Sequence, residues 1–196
     1  IMYLLWGRTG KRKIEKQVMY KMHHGQTFYE YDKNVMKRFE ELHPQEMRLA
    51  HSMEQHHFPL FANNTVDYYP MGEDTFEAIF EEMKKAERFI FINFYIVGEG
   101  VLWDQMFEIM KERAKAGVEI KFLYDDFGCM FRTEKGFKRK LEKEGIEVRV
   151  FNPVHRYTEK LYMNYRNHQK IVVVDGNVAF TGGMNIADEY VNEVER

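Results

Sequence analysis

The sequence predicts an α/β domain over residues 61–196, built on a mixed, mostly parallel β-sheet flanked by helices. Strand-like and helix-like patterns alternate from about residue 63 onward, and helices between strands are typical of βαβ units. The helical stretches have one apolar face each, and the β-branched run at residues 171–174 is long enough for a buried strand. With 196 residues, 44% of them hydrophobic, the chain can form one sizeable domain and an appendage.

Strands and helices are predicted in alternating order before the β-branched run. They are a strand at 66–69, a helix at 73–87, a strand at 89–97, a helix at 102–116, a strand at 118–124, a helix at 133–144 and a strand at 146–151. Gly117 and Gly145 follow the second and third helices and are typical helix ends. Helices of this length between strands indicate crossover connections and a sheet that is covered on both faces.

A hairpin is predicted around the β-branched run 171–174, which is expected to be buried on both faces. Asp175 and Gly176 begin the tight turn into its second strand. Ahead of the run, His168 and Lys170 are two residues apart, and alternate side chains of an extended strand share a face. An imidazole and an ammonium group are therefore expected to converge at one end of the hairpin.

The polar residues around this hairpin have the chemistry of a phosphate site. Gly182 and Gly183 let a ligand approach the backbone closely, and the amide of Asn185 can donate an N–H to a phosphate oxygen. A neutral imidazole is a nucleophile at phosphorus near neutral pH, and an adjacent ammonium offsets transition-state charge without a metal. For an isolated H-x-K pair, a solvated strand end would be the better interpretation. At Asp175, an Asp before Gly is most often simple turn chemistry.

The spacing of these residues, H-x-K-x4-D-x6-G-G-x-N, resembles the motif of the phospholipase D superfamily. The similarity covers about residues 60–196, and the segments around the motif resemble bacterial cardiolipin synthases at residues 123–128, 151–153, 164–167 and 185–190. The resemblance implies a phospholipase D-like lobe. It also implies a site with catalytic His168, Lys170 and Asp175, and with phosphate-binding Gly182, Gly183 and Asn185.

One strand departs from the pattern of those synthases. Where they often read I-H-x-E-Y-Y-I, this chain has I-F-I-N-F-Y-I at residues 90–96. Phe91 and Asn93 therefore replace a His and a Glu, so no acid–base or orienting role is expected at this strand, and Asn93 is a candidate for a headgroup contact.

The resemblance implies phosphatidyl transfer between two phosphatidylglycerol molecules, giving cardiolipin and glycerol. His168 is expected to form a phosphatidyl-histidine, while a histidine of a second motif, expected beyond Arg196 in the same full-length chain, acts as acid and then as base. One phosphodiester replaces another, so no nucleotide or other cofactor is expected. A carboxylate should orient the His168 ring, for which Asp188 and Glu189 are weak candidates. Phosphatidylethanolamine stays open as the acceptor.

Residues 1–16 are predicted to be the end of a transmembrane helix and its basic juxtamembrane segment. Residues 1–7 are apolar but too few to span a bilayer, and five basic residues follow them: Arg8, Lys11, Arg12, Lys13 and Lys16. An ordinary hydrophobic start with a solvated basic face explains these residues equally well. The family resemblance favours a bacterial membrane protein whose catalytic lobe lies on the cytoplasmic side.

Residues 17–60 are predicted to be a helical linker, with a connecting helix between residues 44 and 57. Six of the eight histidines lie here: His23, His24, His43, His51, His56 and His57. No H-E-x-x-H pattern or cysteine partner accompanies them, so no metal site is predicted. The single cysteine, Cys129, excludes an intrachain disulfide and is predicted to be a small, partly buried hydrophobic residue.

Charge and composition bear on the choice between lipid and nucleic acid. The formal net charge of −2 provides no general attraction for nucleic acid. Two alternatives to a phosphatidyltransferase stay open, namely a one-motif nuclease or phosphodiesterase that completes its site by homodimerisation, and a non-catalytic membrane-tethered domain that holds lipid phosphate. The basic-flanked apolar start and the aromatic residues of the site strands favour lipid. The predicted partners are therefore phosphatidylglycerol, membrane lipid and a second lobe, with no nucleic acid.

Overall fold

A computed structural model of the chain describes residue 20 and residues 34–56, 58–62, 64–154 and 166–192. These residues form two compact units, divided between Tyr68 and Tyr69. In the first unit, helix α1 spans Asn34–Leu42, a 3-10 turn spans Pro44–Glu46, and helix α2 spans Met47–Gln55. The turn and α2 correspond to the predicted connecting helix.

The second unit contains five strands and four helices within the described residues. In chain order they are α3 (Gly72–Lys85), β1 (Phe89–Phe94), α4 (Val101–Lys115), β2 (Glu119–Asp125), α5 (Asp126–Cys129), α6 (Phe137–Lys143), β3 (Glu147–Phe151), β4 (Ile171–Val174) and β5 (Val178–Thr181). A 3-10 turn follows at Asp188–Tyr190. Gly117 and Gly145, at φ of 91° and 85°, end α4 and α6 as predicted, because a left-handed residue at a helix end favours glycine.

The strands form one sheet in the order β3-β2-β1-β4-β5. The β1–β2 and β2–β3 pairs are parallel, whereas the β1–β4 and β4–β5 pairs are antiparallel. The predicted mixed α/β class is confirmed, but the sheet is half rather than mostly parallel. The reason is that β4 and β5 form the predicted hairpin, which joins the sheet beside β1 in the reverse direction.

The predicted strand at residues 66–69 is wrong, since this segment is outside the sheet. Val66 is 88% exposed and Tyr68 is 86% exposed, so their alternation with polar residues buries neither side chain. Two other elements are shorter than predicted. Strand β1 ends at Phe94, and α6 begins only at Phe137, after Gly136 at a φ of 93°.

One face of the sheet forms the core of this unit. Alternate residues of β1 and β2 are buried on that face: Ile90, Ile92, Phe94, Ile120, Phe122 and Tyr124. The crossovers through α4 and α6 connect strands in the same direction along the sheet, which places both helices on one face. Trp103 of α4 stacks against Phe107 and contacts Phe122 edge-on, which joins this helix to the sheet.

The prediction that both faces are covered does not hold for the described part of the chain. On the second face, apolar and charged side chains line an open groove of about 260 Å³, among them Phe91, Lys121, Leu123, Ile171 and Val173. Strand β4 is accordingly buried on one face and half-buried on the other. The exposed Glu119 and Lys121 alternate with buried residues in β2, which is the pattern of a sheet with one open face.

Candidate active site

His168 and Lys170 lie just before β4, at the sheet edge where the parallel strands β1 and β2 end. Lys170 is 5% exposed, and its Nζ donates a hydrogen bond to the backbone oxygen of His168 at 2.9 Å. The imidazole of His168 is exposed. The structure therefore brings the predicted nucleophile and the predicted cation to one end of the hairpin, where the cation is buried and the imidazole is accessible.

Tyr95 is a third member of this group and was not predicted. Its ring centroid lies 4.8 Å from that of His168, and Lys170 Nζ lies 5.5 Å from the same tyrosine ring. Tyr95 is the first residue after β1, the strand that pairs with β4. Its position next to the H-x-K pair depends on that long-range pairing, so the match of Tyr95 to the pattern at residues 90–96 did not place it at the site.

The environment of Lys170 affects both its charge and its position. Burial lowers the pKa of Lys170 from its ordinary value of 10.5, because the ammonium loses contact with water. The adjacent tyrosine ring attracts the ammonium through its π electrons, and the carbonyl of His168 accepts one of its protons. These two contacts hold the amino group of Lys170 in a fixed position next to the His168 backbone.

Asp175 is not brought into this group. It lies at the other end of β4, five residues from Lys170, a separation on the order of 15 Å along an extended chain. Its carboxylate accepts hydrogen bonds at 2.8 Å from the backbone N–H groups of Glu87, Arg88 and Phe89. Asp175 thus fixes the entry to β1 and has a positive φ of 55° in the hairpin turn.

Asp175 is expected to make the stability of the domain pH-dependent. Hydrogen bonds from the backbone N–H groups, that of Glu87 first, lower the pKa of this carboxyl in the folded state. A lowered folded-state pKa contributes stability above the unfolded-state value of about 3.9, and the contribution is lost as the pH falls through the folded-state pKa. We expect Asp175→Asn to lower the unfolding midpoint at pH 7 and to have a shrinking effect in acid.

The measurement is thermal or denaturant unfolding of both proteins between pH 7 and pH 3. Asp67→Asn is the matched control, because Asp67 is exposed in the segment before α3 that has no regular secondary structure. An equal difference between Asp175→Asn and the unmodified protein at every pH would contradict a role for the carboxylate.

The predicted phosphate-binding residues follow β5. Gly182 and Gly183 are exposed, and nothing lies within 4 Å of a Cβ placed on either, which leaves open space above this backbone. Asn185 is buried, accepts a hydrogen bond from Ile96 N at 3.0 Å and donates one to Tyr190 Oη at 3.0 Å. Asn185 therefore ties the chain after β5 to the segment that carries Tyr95.

Asn93 lies on the open face of the sheet, opposite to Lys170. Its Nδ2 donates to Gln169 Oε1 at 3.2 Å, and its Oδ1 accepts from Asn167 Nδ2 at 2.7 Å. The amide thus holds the two residues that flank His168. The structure does not bring it together with the imidazole and ammonium groups.

The two carboxylates considered for orienting the His168 ring are engaged elsewhere. Asp188 accepts from the backbone N–H groups of Val101 and Leu102 and so caps α4, while Glu189 pairs with Arg132. Cys129 is fully buried rather than partly buried as predicted, and burial raises the pKa of its thiol to about 12. Its sulfur accepts a hydrogen bond from Val97 N at 3.2 Å, which places α5 against the chain that follows β1.

The predicted membrane and linker segments are described only in part. Residues 1–16 and the histidines His23, His24 and His57 lie outside the described residues. No helix in the described ranges has both the length and the apolar character needed to cross a bilayer. His43, His51 and His56 are described, and no group of three or more metal-ligating side chains occurs among the residues that the structure covers.

The α/β fold with an H-x-K pair at one sheet edge and a glycine-rich strand end defines a phospholipase D-like domain. The chain belongs to the family described as "Cardiolipin synthase, PLD-like domain", whose model matches residues 79–195. This confirms the resemblance found in the motif.

Several bacterial proteins are similar to this chain over most of its length. An uncharacterized protein of Streptococcus mutans is 36% identical over 86% of this chain and 37% of its own. A cardiolipin synthase of Geobacillus kaustophilus is 32% identical over 98% of this chain and 39% of its own. Cardiolipin synthase 2 of Bacillus cereus is 40% identical over 62% of this chain and 24% of its own. The chain therefore spans less than two fifths of each of these relatives.

Proposed function

We propose that the chain is a catalytic lobe of a phosphatidyltransferase that makes cardiolipin and glycerol from two molecules of phosphatidylglycerol. The observation that carries the proposal is the exposed imidazole of His168, on the residue whose backbone oxygen binds the buried ammonium of Lys170. The names of the similar cardiolipin synthases support the choice of lipid. The formal net charge of −2 favours lipid over a nucleic acid as the substrate.

In the first step the His168 imidazole attacks the phosphorus of one phosphatidylglycerol. An N–P bond forms, the P–O bond to glycerol breaks, and the departing glycerol oxygen takes up a proton. In the second step a hydroxyl of another phosphatidylglycerol gives up a proton and attacks the phosphatidyl-histidine, which restores the imidazole. Lys170 offsets the charge that develops on the non-bridging oxygens in both steps.

The proton transfers require a second acid–base group. One imidazole cannot be nucleophile and leaving-group acid in the same step, since these roles need opposite protonation states on opposite sides of phosphorus. We propose that a second phospholipase D-like lobe of the full-length chain provides this group.

We also propose that the enzyme is anchored in the bacterial membrane, with the lobe that contains His168 on the cytoplasmic side. The basic cluster at residues 8–16 favours this orientation.

The test is to assay the full-length protein and residues 1–196 side by side in detergent with labelled phosphatidylglycerol. We expect cardiolipin and glycerol in equal amounts from the full-length protein and no turnover from residues 1–196. Production of phosphatidic acid alone would indicate a hydrolase, and a requirement for phosphatidylethanolamine would change the acceptor.

The oligomeric state in the same assay separates the alternatives. Robust turnover by monomeric residues 1–196 would refute the two-lobe proposal. Turnover that rises with dimer formation, together with cleavage of DNA, would favour the homodimeric nuclease or phosphodiesterase instead.

A further inference from the structure

We infer that Asp125 is a positioning residue that holds His168 in its reactive location, an inference that rests on the proposed function. Asp125 is the last residue of β2 and is fully buried, with 0% exposure. Its Oδ2 accepts from Asn167 N at 3.0 Å, and its Oδ1 accepts from Arg166 Nη1 at 2.9 Å. The buried carboxylate therefore binds both residues that directly precede His168.

The chain at Asn167 is held from two strands. Asp125 of β2 binds its backbone N–H, while Asn93 of β1 binds its side-chain amide at 2.7 Å. The imidazole of His168 is exposed, and within the described residues its ring contact is with Tyr95. Its location therefore depends on where the preceding backbone is fixed, and Asp125 provides the charged part of that attachment.

The same carboxylate also positions α5, the helix that packs on Tyr95. Its Oδ1 accepts from the backbone N–H groups of Phe127 and Gly128, at 2.9 Å and 3.2 Å, and so starts α5. A Cβ on Gly128 would lie 2.2 Å from the backbone oxygen of Tyr95, which shows how closely α5 packs on that residue. One buried group thus sets the relative position of His168 and the Tyr95 ring.

Asp125→Asn tests this role with little change in shape. The remaining side-chain oxygen can still accept from the start of α5, but the new Nδ2 faces the N–H of Asn167, where two donors meet and no hydrogen bond forms. Because a displacement of about 1 Å can reduce a rate 10²-fold, we expect kcat of the full-length enzyme on phosphatidylglycerol to fall by that order, with KM changed less than about 3-fold.

Asp126→Asn is the matched control. Asp126 is the next residue and accepts a backbone hydrogen bond from Val154 N, so the variant loses the same charge and the same kind of contact away from His168. We expect its kcat to stay near that of the unmodified enzyme. A second variant, Asp125→Asn with Arg166→Met, removes the partly buried guanidinium whose carboxylate partner has become a neutral amide. We expect this variant to recover thermal stability but not kcat.

Amide hydrogen exchange provides a readout that needs no lipid. In Asp125→Asn we expect faster exchange in the peptide covering residues 166–170 and unchanged exchange in β1 and β2. This result stands even if the unmodified enzyme proves to have another substrate, which separates the inference from the proposed function. Unchanged exchange at 166–170, an unchanged kcat, or recovery of kcat by Arg166→Met would each overturn the positioning role.

Discussion

Replacing His168 by alanine is expected to abolish phosphatidyl transfer by the full-length enzyme, with a loss on the order of 10⁴-fold or more in kcat. The exposed imidazole packs against the Tyr95 ring, which in turn lies 5.5 Å from the buried Lys170 ammonium, and a tyrosine hydroxyl is a weaker nucleophile at neutral pH than a neutral imidazole. Because the imidazole is exposed, its replacement by alanine leaves no unpaired charge in the core, and the fold should persist. The assay is release of labelled glycerol from phosphatidylglycerol.

The covalent intermediate is the second measurement in the same experiment. A reaction quenched in alkali should carry an acid-labile phosphatidyl label on the peptide that contains His168, and the label should be absent from His168→Ala. His51→Ala is the matched control, because His51 is an exposed histidine of α2 and should leave both label and turnover intact. A label on another residue, or full turnover by His168→Ala, would contradict the assignment.

The H-x-K pair shows what local sequence can predict about this site. Residues two apart in an extended chain share a face, and His168 and Lys170 do meet at one end of the hairpin. The Asp-Gly turn and the β-branched run predicted β4 and β5 for the same local reason. These features depend on backbone geometry over a few residues, which the sequence encodes directly.

Asp175 shows where family resemblance and geometry diverge. An odd separation of five residues from Lys170 places it off the shared face and at the far end of a four-residue strand. The period-2 rule alone would have kept it out of the phosphate site, and its three backbone contacts give it a role in the fold. A motif residue can thus recur because it fixes the strand on which the chemistry depends.

The contacts that Tyr95 and Asp125 make at the site could not be found from local patterns. Tyr95 reaches His168 only because β4 pairs with β1, and Asp125 reaches Asn167 across 42 residues of sequence. The open sheet face was missed for a related reason. The apolar residues Phe91, Ile171 and Val173 predict that this face is buried. That charged residues of β2 lie on the same face follows only from the strand order of the sheet.

Replacing Lys170 by methionine is expected to lower kcat by roughly 10²- to 10³-fold, the usual cost of removing one preorganised charge from a transition state. KM should change little, because the ammonium acts mainly on charge that develops during the reaction. Methionine fills the buried space beside Tyr95 without an unpaired charge, so the unfolding midpoint should not fall. Steady-state kinetics of the full-length enzyme and its thermal unfolding measure both quantities.

The pH dependence of activity tests whether the charge of Lys170 contributes to catalysis. Burial lowers the pKa of Lys170, so its charge is present below that pKa and is lost as the pH rises through it. The activity of the unmodified enzyme should therefore fall as the pH rises, with a midpoint below pH 10.5. The residual activity of Lys170→Met should show no such fall. Lys121→Met is the matched control, since Lys121 Nζ lies 5.1 Å from the Phe91 ring on the open sheet face and remains exposed. Near-normal kcat in Lys170→Met, or an equal loss in both variants, would show that Lys170 serves only to fill the end of the strand.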